Sequence, residues 1–267
     1  MSLGSHPAVQ AAVAGSRHLA AHDHLDTVTS TNDLALAAVQ EGRPLGIVVS
    51  ADRQTAGRGR RGRAWTDDVV GPEGPGNLAV SVVVPAPQPR APLTPLAAGL
   101  AVAASYRAAG AAPTLKWPND VLLDERKAAG ILVERHSVAG ADVVVIGCGL
   151  DLDWRGVTRE GEAAGWTSLA ESLGAPVDRG EVLAALLTAL DGELTDLRGE
   201  DGADSTVLQR YREDCSTIGR EVEVDLPGGV VVAGRAVDLD PEGLLVVDTA
   251  RERVTVRAGD VSVLPRG

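Results

Sequence analysis

Residues 34–39 are predominantly apolar and follow directly on Ser30-Thr31-Asn32-Asp33. Ser, Thr and Asn are favoured N-caps and an acidic residue suits a first turn, so this pattern predicts a loop entering a helix. Short apolar, β-branched runs at 47–50 and 78–84 predict buried strands, the second ending at Pro85. Between them, breakers make 71–76 a loop. Residues 96–109 are Ala-rich and predict a helix closed by Gly110. Strand-like pieces follow at 114–117, 121–123, 131–134 and 143–146. Helical stretches at 182–197 and 206–214 flank an acidic, glycine-containing break at 199–202. The texture changes near Thr217. Five short strands, at 222–226, 230–237, 244–247, 254–256 and 261–264, are separated by Pro-Gly-Gly, Pro-Glu-Gly and Ala-Gly-Asp turns, which predicts a small β-barrel. The reading is therefore a domain over 1–217, with residues 1–25 mobile, and a second domain over 218–267.

Composition narrows the function classes. The 267 residues carry a formal net charge of −12, with no Phe, four Trp and two Tyr. Such a surface repels nucleic acid and anionic membranes at long range, and scarce aromatics disfavour base-stacking binders. Two distant cysteines, Cys148 and Cys215, form no CxxC and fit a reducing compartment. No apolar run reaches membrane-spanning length and no signal-peptide segment opens the chain, so the expectation is a cytoplasmic protein.

Four segments carry candidate chemistry. Gly57-Arg58-Gly59-Arg60-Arg61-Gly62-Arg63 combines permissive backbone with forked, permanently charged donors, which suits a ligand with several anionic oxygens. An RG-rich nucleic-acid tail is the alternative, but such tracts sit in low-complexity tails and this one lies between two buried strands. Lys116-Trp117-Pro118-Asn119-Asp120 sets a lysine and a carboxylate around a turn, suited to phosphate and its magnesium ion; an ordinary strand–turn with a buried Trp is the bland alternative. In Lys127-Ala128-Ala129-Gly130-Ile131-Leu132-Val133-Glu134 a lysine precedes a glycine that opens a buried strand. Gly147-Cys148-Gly149-Leu150-Asp151 ends a strand with two glycines, which suggests close approach of backbone to ligand. Cys148 reads as a buried filler, for want of a basic partner in sequence. His22-Asp23-His24 lacks further metal ligands at a fitting spacing and reads as a solvated terminal segment.

Taken together, in this order and at these separations, the four segments resemble the catalytic domain of bacterial biotin–protein ligases, over roughly residues 27–264. The GRGRRGR loop and KWPND are the specific signatures; the lysine before Ala-Ala-Gly-Ile-Leu, Ser30-Thr31-Asn32 and Trp166 reinforce them. The resemblance implies a mixed α/β (α+β) catalytic domain akin to class II aminoacyl-tRNA synthetases, followed by an SH3-like β-barrel.

It also implies roles. Ser30, Thr31, Asn32, Gln54 and Gly57 line the biotin pocket. Arg58, Gly59 and Arg60 close over biotin and the adenylate phosphate, while Gly130, Ile131 and Gly149 supply backbone and wall. Lys127 sits between the biotin carboxylate and the α-phosphate, and with Arg60 forms the catalytic pair. Arg61, Arg63, Lys116, Asn119, Asp120, Asp151 and Trp166 complete the ATP site, Trp166 against adenine, with Asp120 and Asp151 toward Mg2+. Family members commonly carry Asn where this chain has Asp151, so a carboxylate there implies a link to the metal. The implied reaction uses ATP and biotin to form biotinyl-5′-AMP and then biotinylates a lysine of a biotin carboxyl carrier domain of an acyl-CoA carboxylase or pyruvate carboxylase. A monomer or weak homodimer is expected. Fewer than about 30 residues precede the signatures, too few for the repressor module some relatives carry, so no operator binding is expected. Two other readings stay open: a lipoate–protein ligase or octanoyltransferase of shared architecture, and a non-enzymatic RNA-binding protein using the arginine loop. The arginine loop is expected to be mobile when empty, because clustered Arg and Gly have little to pack against.

Overall fold

The computed structural model describes residues 2–65, 69–72, 74–199, 206–226, 228–257 and 259–264. The chain runs through helix α1 (Pro7–Ala14), strand β1 (Ala21–Val28), helix α2 (Thr31–Gln40) and strand β2 (Ile47–Gln54). A two-residue ribbon, β3 (Val70–Gly71) with β4 (Gly74–Pro75), leads into β5 (Asn77–Pro85) and helix α3 (Thr94–Ala108). Next come β6 (Thr114–Lys116), β7 (Asp120–Leu123), β8 (Arg126–Val138) and β9 (Ala141–Asp151), then helices α4 (Leu169–Leu173), α5 (Arg179–Arg198) and α6 (Thr206–Asp214). The acidic break expected at 199–202 lies outside the described residues from position 200, as does Glu73 of the expected 71–76 loop.

Seven strands form one sheet in the order β1-β2-β5-β9-β8-β7-β6, with β1 parallel to β2 and the other neighbours antiparallel. Period-two alternation splits its side chains between two cores. Ile47, Val49, Val83, Val143 and Val145 pack with Ala35 and Val39 of α2. Their chain neighbours Val48, Val82, Val84, Val144 and Ile146 belong to a larger core with α3 and α5. Each fully buried Val, Leu or Ile stabilises by roughly 1.5–3 kcal/mol, so this division fixes the register of the sheet.

The C-terminal strands β10 (Glu221–Asp225), β11 (Val231–Leu239), β12 (Leu245–Asp248), β13 (Arg253–Val256) and β14 (Asp260–Val263) form a separate five-stranded antiparallel sheet in the order β13-β12-β11-β10-β14. It is the small five-stranded unit that the turn spacing predicts and the SH3-like unit that the family resemblance implies. It meets the rest of the chain through Trp117, which is buried and donates from Nε1 to the Gly243 carbonyl at 2.9 Å, while its backbone N–H donates to Thr217 Oγ1, ahead of β10, at 3.0 Å.

Three expectations need correction. The expected mobile start is folded: α1 packs on α5, Leu3 and Val9 join the main core, and β1 pairs with β2 over Ala21–Val28. His22 and His24 are not solvated. His22 Nε2 and His24 Nδ1 each reach Ser50 Oγ (2.7 and 2.9 Å), and burial pushes His22 down to about 4. Period-two polar positions on β1 meet polar groups on β2, where Asp52 is paired in turn with Arg179 of α5, which an apolar pattern cannot reveal. The strands at 131–134 and 143–146 are also longer than predicted. Ala139 and Gly140 both take positive φ, giving a two-residue turn that pairs Val138 with Ala141 and extends the hairpin.

Candidate active site

A cavity of about 650 Å³ opens between the α2 face of the sheet, the arginine loop and the start of the C-terminal sheet. Its floor is polar. Ser30 caps α2 and, with Thr31 and Asn32 in the first turn, is buried. Gln54 Oε1 accepts from the Thr31 backbone N–H at 2.8 Å and from Thr31 Oγ1 at 3.1 Å. Ser81, wholly buried on β5, donates to Asn32 Oδ1 at 2.6 Å and stands 2.7 Å from Thr31 Oγ1. The Asn32 amide then donates to Glu134 Oε2 at 2.6 Å. Sequence reasoning missed Ser81 and gave Glu134 no role. The signal for Ser81 was a lone hydroxyl inside the apolar run Leu78–Val84, since a buried polar group needs partners.

One wall is aromatic. Trp65 lies against Gly130 and Gly149, where a Cβ would come within 2.8 Å of Trp65 Cζ3 and 2.5 Å of Cζ2 respectively. The two glycines therefore serve the close approach of an indole. Trp65 stacks on Trp166 at 5.3 Å between centroids, and Trp166 stacks in turn on Trp154 at 6.3 Å. Lys127 Nζ lies 4.8 Å from the Trp166 centroid, 5.4 Å from that of Trp65 and 2.8 Å from Asp120 Oδ1.

Cations gather opposite the floor. Arg58, Gly59, Arg60 and Arg63 reach the cavity from the loop, and Lys116, Asn119 and Asp120 from the β6–β7 turn. Arg58 makes a bidentate pair with Asp33 (2.6 and 2.7 Å) and approaches Glu134 at 3.5 Å. The Arg58 hydrogen bonds hold the Asp33 carboxyl below its ordinary value, and the same pair raises Arg58. Arg60 donates to Asn119 Oδ1 at 3.1 Å and to the Gly259 carbonyl at 3.5 Å. Asn119 donates to the Ile131 carbonyl at 3.1 Å, which ties the turn to β8. The loop thus has partners that its composition does not suggest: α2, the β6–β7 turn and the C-terminal sheet. Arg220, Val263 and Leu264 from that second unit also line the cavity.

Three expected site residues do not line it. Gly57 is buried behind the wall, where a Cβ would lie 2.9 Å from the Trp65 carbonyl and 3.0 Å from Gln54 Nε2; its part is steric. Arg61 sits at φ 57° and turns outward to donate to the Asp225 carbonyl at 3.2 Å. Asp151 is wholly buried at the end of β9, paired in register with Asn77, and is absent from the cavity wall. Burial first, and then the Asp151 charge, push up the Tyr106 hydroxyl of α3. This places the Asp151 carboxylate behind the cavity wall rather than in it.

The donor set nevertheless fits magnesium on one side, because Asp120 presents a carboxylate at the cavity and this ion takes most of its ligands from phosphates and water. Cys148 is buried and its thiol is pushed up to about 12, as befits a filler. Among the described residues, His24, Asp26 and Asp52 bring ligand atoms within 4.8 Å of one another, but Arg179 already neutralises Asp52 at 2.6 Å. No helix among the described residues is long and apolar enough to cross a membrane.

Comparison with known proteins agrees with this geometry. The profile described as "Biotin/lipoate A/B protein ligase family" matches residues 25–151, and that described as "Biotin protein ligase C terminal domain" matches 217–264. The chain is 38% identical to a biotin–[acetyl-CoA-carboxylase] ligase of Mycobacterium tuberculosis, covering 87% of this chain and 85% of that one. It is 34% identical to the bifunctional ligase/repressor BirA of Escherichia coli, covering 84% and 68%. The structure of the Aquifex aeolicus biotin protein ligase in complex with biotin and ATP superposes with a TM-score of 0.74 at 26% identity, over 92% of this chain and 99% of that one. With a polar floor, a cationic loop and a second sheet closing one cavity, the chain belongs to the biotin/lipoate protein ligase family, and within it to the biotin protein ligases.

Proposed function

We propose that this chain activates biotin with ATP and transfers the biotinyl group to a lysine of a biotin carboxyl carrier domain. One observation carries the reading: hydrogen-bonding groups at the floor and six cations, Arg58, Arg60, Arg63, Lys116, Lys127 and Arg220, face the same cavity. A ureido ring can exchange hydrogen bonds with Ser30, Thr31, Asn32 and Gln54, which line the cavity, whereas the dithiolane ring of lipoate offers them none. That difference favours biotin, since unpaired polar groups in a site reject a ligand that cannot satisfy them.

In the first step a biotin carboxylate oxygen attacks the α-phosphorus of ATP. A P–O bond forms, the bond to the β-phosphate breaks, and pyrophosphate leaves. Lys127, held between Asp120 and two indoles, faces the meeting point of the two anions and offsets their charge. Arg60 and Arg63 hold phosphate oxygens, and Lys116 adds a third cation. When bound, magnesium offsets triphosphate charge, with Asp120 as its protein ligand. In the second step the carrier amine attacks the acyl carbon, expels AMP and loses its proton to solvent. Catalysis is positioning together with electrostatic stabilisation.

The test is mass spectrometry of the protein with ATP, a carrier domain and either biotin or lipoate. A lysine-linked biotin adduct, lost in Lys127→Ala, is the expected result; a lipoyl adduct in its place would overturn the reading. We also propose that the chain binds no operator DNA, in keeping with the net charge of −12, and that it works in the cytoplasm with both cysteines reduced. A salt-sensitive, sequence-specific gel shift would overturn the former.

A further inference from the structure

We propose that Glu134 is a positioning residue that couples occupancy of the polar floor to the setting of Arg58 at the cavity mouth, with Asp33 as the latch that holds Arg58 when biotin is absent. The inference rests on the biotin-ligase reading above and deepens it.

The residues form one continuous chain. Ser81 on β5 donates to Asn32 Oδ1 at 2.6 Å. The same amide donates through its nitrogen to Glu134 Oε2 at 2.6 Å. The other carboxylate oxygen, Oε1, stands 3.5 Å from Arg58 Nη2. Arg58 completes the path with its bidentate pair to Asp33, one residue beyond Asn32 in the first turn of α2. The floor and the mouth are thereby joined by two consecutive residues of α2 and one carboxylate of β8.

The arrangement has a fixed end and an adjustable end. Asn32 lies directly against Gly147, where a Cβ would collide with its side-chain oxygen, so the backbone of β9 closes against the amide. Ser81 is wholly buried and Asn32 nearly so. At the other end, Arg58, Asp33 and Glu134 are all partly exposed, and the Arg58–Glu134 contact is the longest in the chain. A ligand that exchanges a hydrogen bond with Asn32, which lines the cavity, alters what Glu134 must balance, and the slack at Arg58 is where that change is expressed.

Asp33 supplies the competing state. A guanidinium paired fork-to-fork with a carboxylate is equally suited to a ligand carboxylate or phosphate. In the empty enzyme Asp33 occupies that fork. When the floor is filled, the carboxylate tail of the ligand displaces Asp33, and Glu134 keeps Arg58 within reach during the exchange. Glu134 touches no substrate in this scheme; it acts through Asn32 and Arg58.

The test uses the full chain and two variants. Glu134→Gln keeps the size of the side chain and an acceptor for Asn32 while removing the charge that faces Arg58. It is expected to raise the biotin KM for adenylation about tenfold, to leave the ATP KM within about twofold, and to abolish the biotin-dependent protection of the arginine loop from trypsin. A merely structural role would instead lower thermal stability and spare the biotin KM and the protection; that outcome overturns the proposal. Asp33→Asn releases the latch and is expected to speed tryptic cleavage of the loop several-fold in ligand-free protein; an unchanged rate also overturns it. The second measurement needs no biotin chemistry. If the wild-type protein makes no biotinyl-AMP, the functional reading fails, while the ligand-free digestion still decides the latch.

Discussion

Lys127 and Asp120 form an ion pair of 2.8 Å at the cavity wall, and the same ammonium lies over the faces of both Trp65 and Trp166. A lysine held on three sides loses little freedom when two anions arrive in front of it. Preorganised charge of this kind contributes most where charge develops in a transition state.

Lys127→Ala is therefore expected to lower the rate of biotin-dependent pyrophosphate release by about 10²–10³-fold, roughly 3–4 kcal/mol. Asp120→Asn leaves the ammonium charged and seated on the two indoles, so a smaller loss, about tenfold, is expected. Equal losses in the two variants would mean that the pair works as a unit and would sink the separate assignment of Lys127.

Trp65 depends on its glycine neighbours. Gly149→Ala places a methyl group 2.5 Å from Trp65 Cζ2 in a tightly packed wall, and overpacking of this kind costs about 1–3 kcal/mol. The expected readouts are a lower urea midpoint and a changed tryptophan emission, as Trp65 leaves its stack with Trp166. Gly192→Ala is the control. Gly192 is exposed in α5 with nothing within 4 Å of an added Cβ, so a gain of about 0.5–1 kcal/mol is expected. Loss of stability in both variants would show that Trp65 crowding is not the cause.

These residues also show what the sequence made legible. GRGRRGR and KWPND were readable because their chemistry is contiguous: the cations and the turn that presents them lie within a few positions. Ser81 and Glu134 were not, since each gains meaning only when β5, α2 and β8 come together across 50 to 100 residues. β1 stayed hidden because His22, His24 and Asp26 recur every second residue on a face whose partners are Ser50, Asp52 and Arg179 rather than an apolar core. Asp151 shows the converse limit. Its place in a motif was visible, but the sheet register that buries it beside Asn77 was not.

The seat of the C-terminal sheet is open to test. Trp117→Phe removes the Nε1 donor to the Gly243 carbonyl while keeping an aromatic ring in the buried slot. Loss of such a bond costs about 1–3 kcal/mol when the acceptor stays buried. A lower unfolding midpoint is expected, together with a higher ATP KM, because Arg60 rests on the Gly259 carbonyl just ahead of β14 in the same unit. A lower midpoint with unchanged ATP KM would show that the two units meet without bearing on the site.

Stability against pH carries two opposed contributions. Glu193 is nearly buried under its bidentate pair with Arg210, and burial outweighs that partner to push the carboxyl up to about 7. Its folded pKa therefore lies above its unfolded value. Between about pH 4.5 and 7 the unfolded chain gives up this proton first, so stability falls as pH rises through that window, by at most about 3 kcal/mol. His22 acts in the other direction. Burial pushes it down to about 4, so the folded state prefers the neutral ring and stability is lost as pH falls from about 6.5 toward 4. In the wild-type protein the two slopes oppose each other over the shared range. Glu193→Gln is expected to leave the His22 slope alone, giving a protein that gains stability as pH rises from 4.5 to 7, and His22→Gln is expected to expose the reverse slope. Urea unfolding at half-unit pH steps reads both; parallel curves for the two variants would rule out these two groups as the source of the pH dependence.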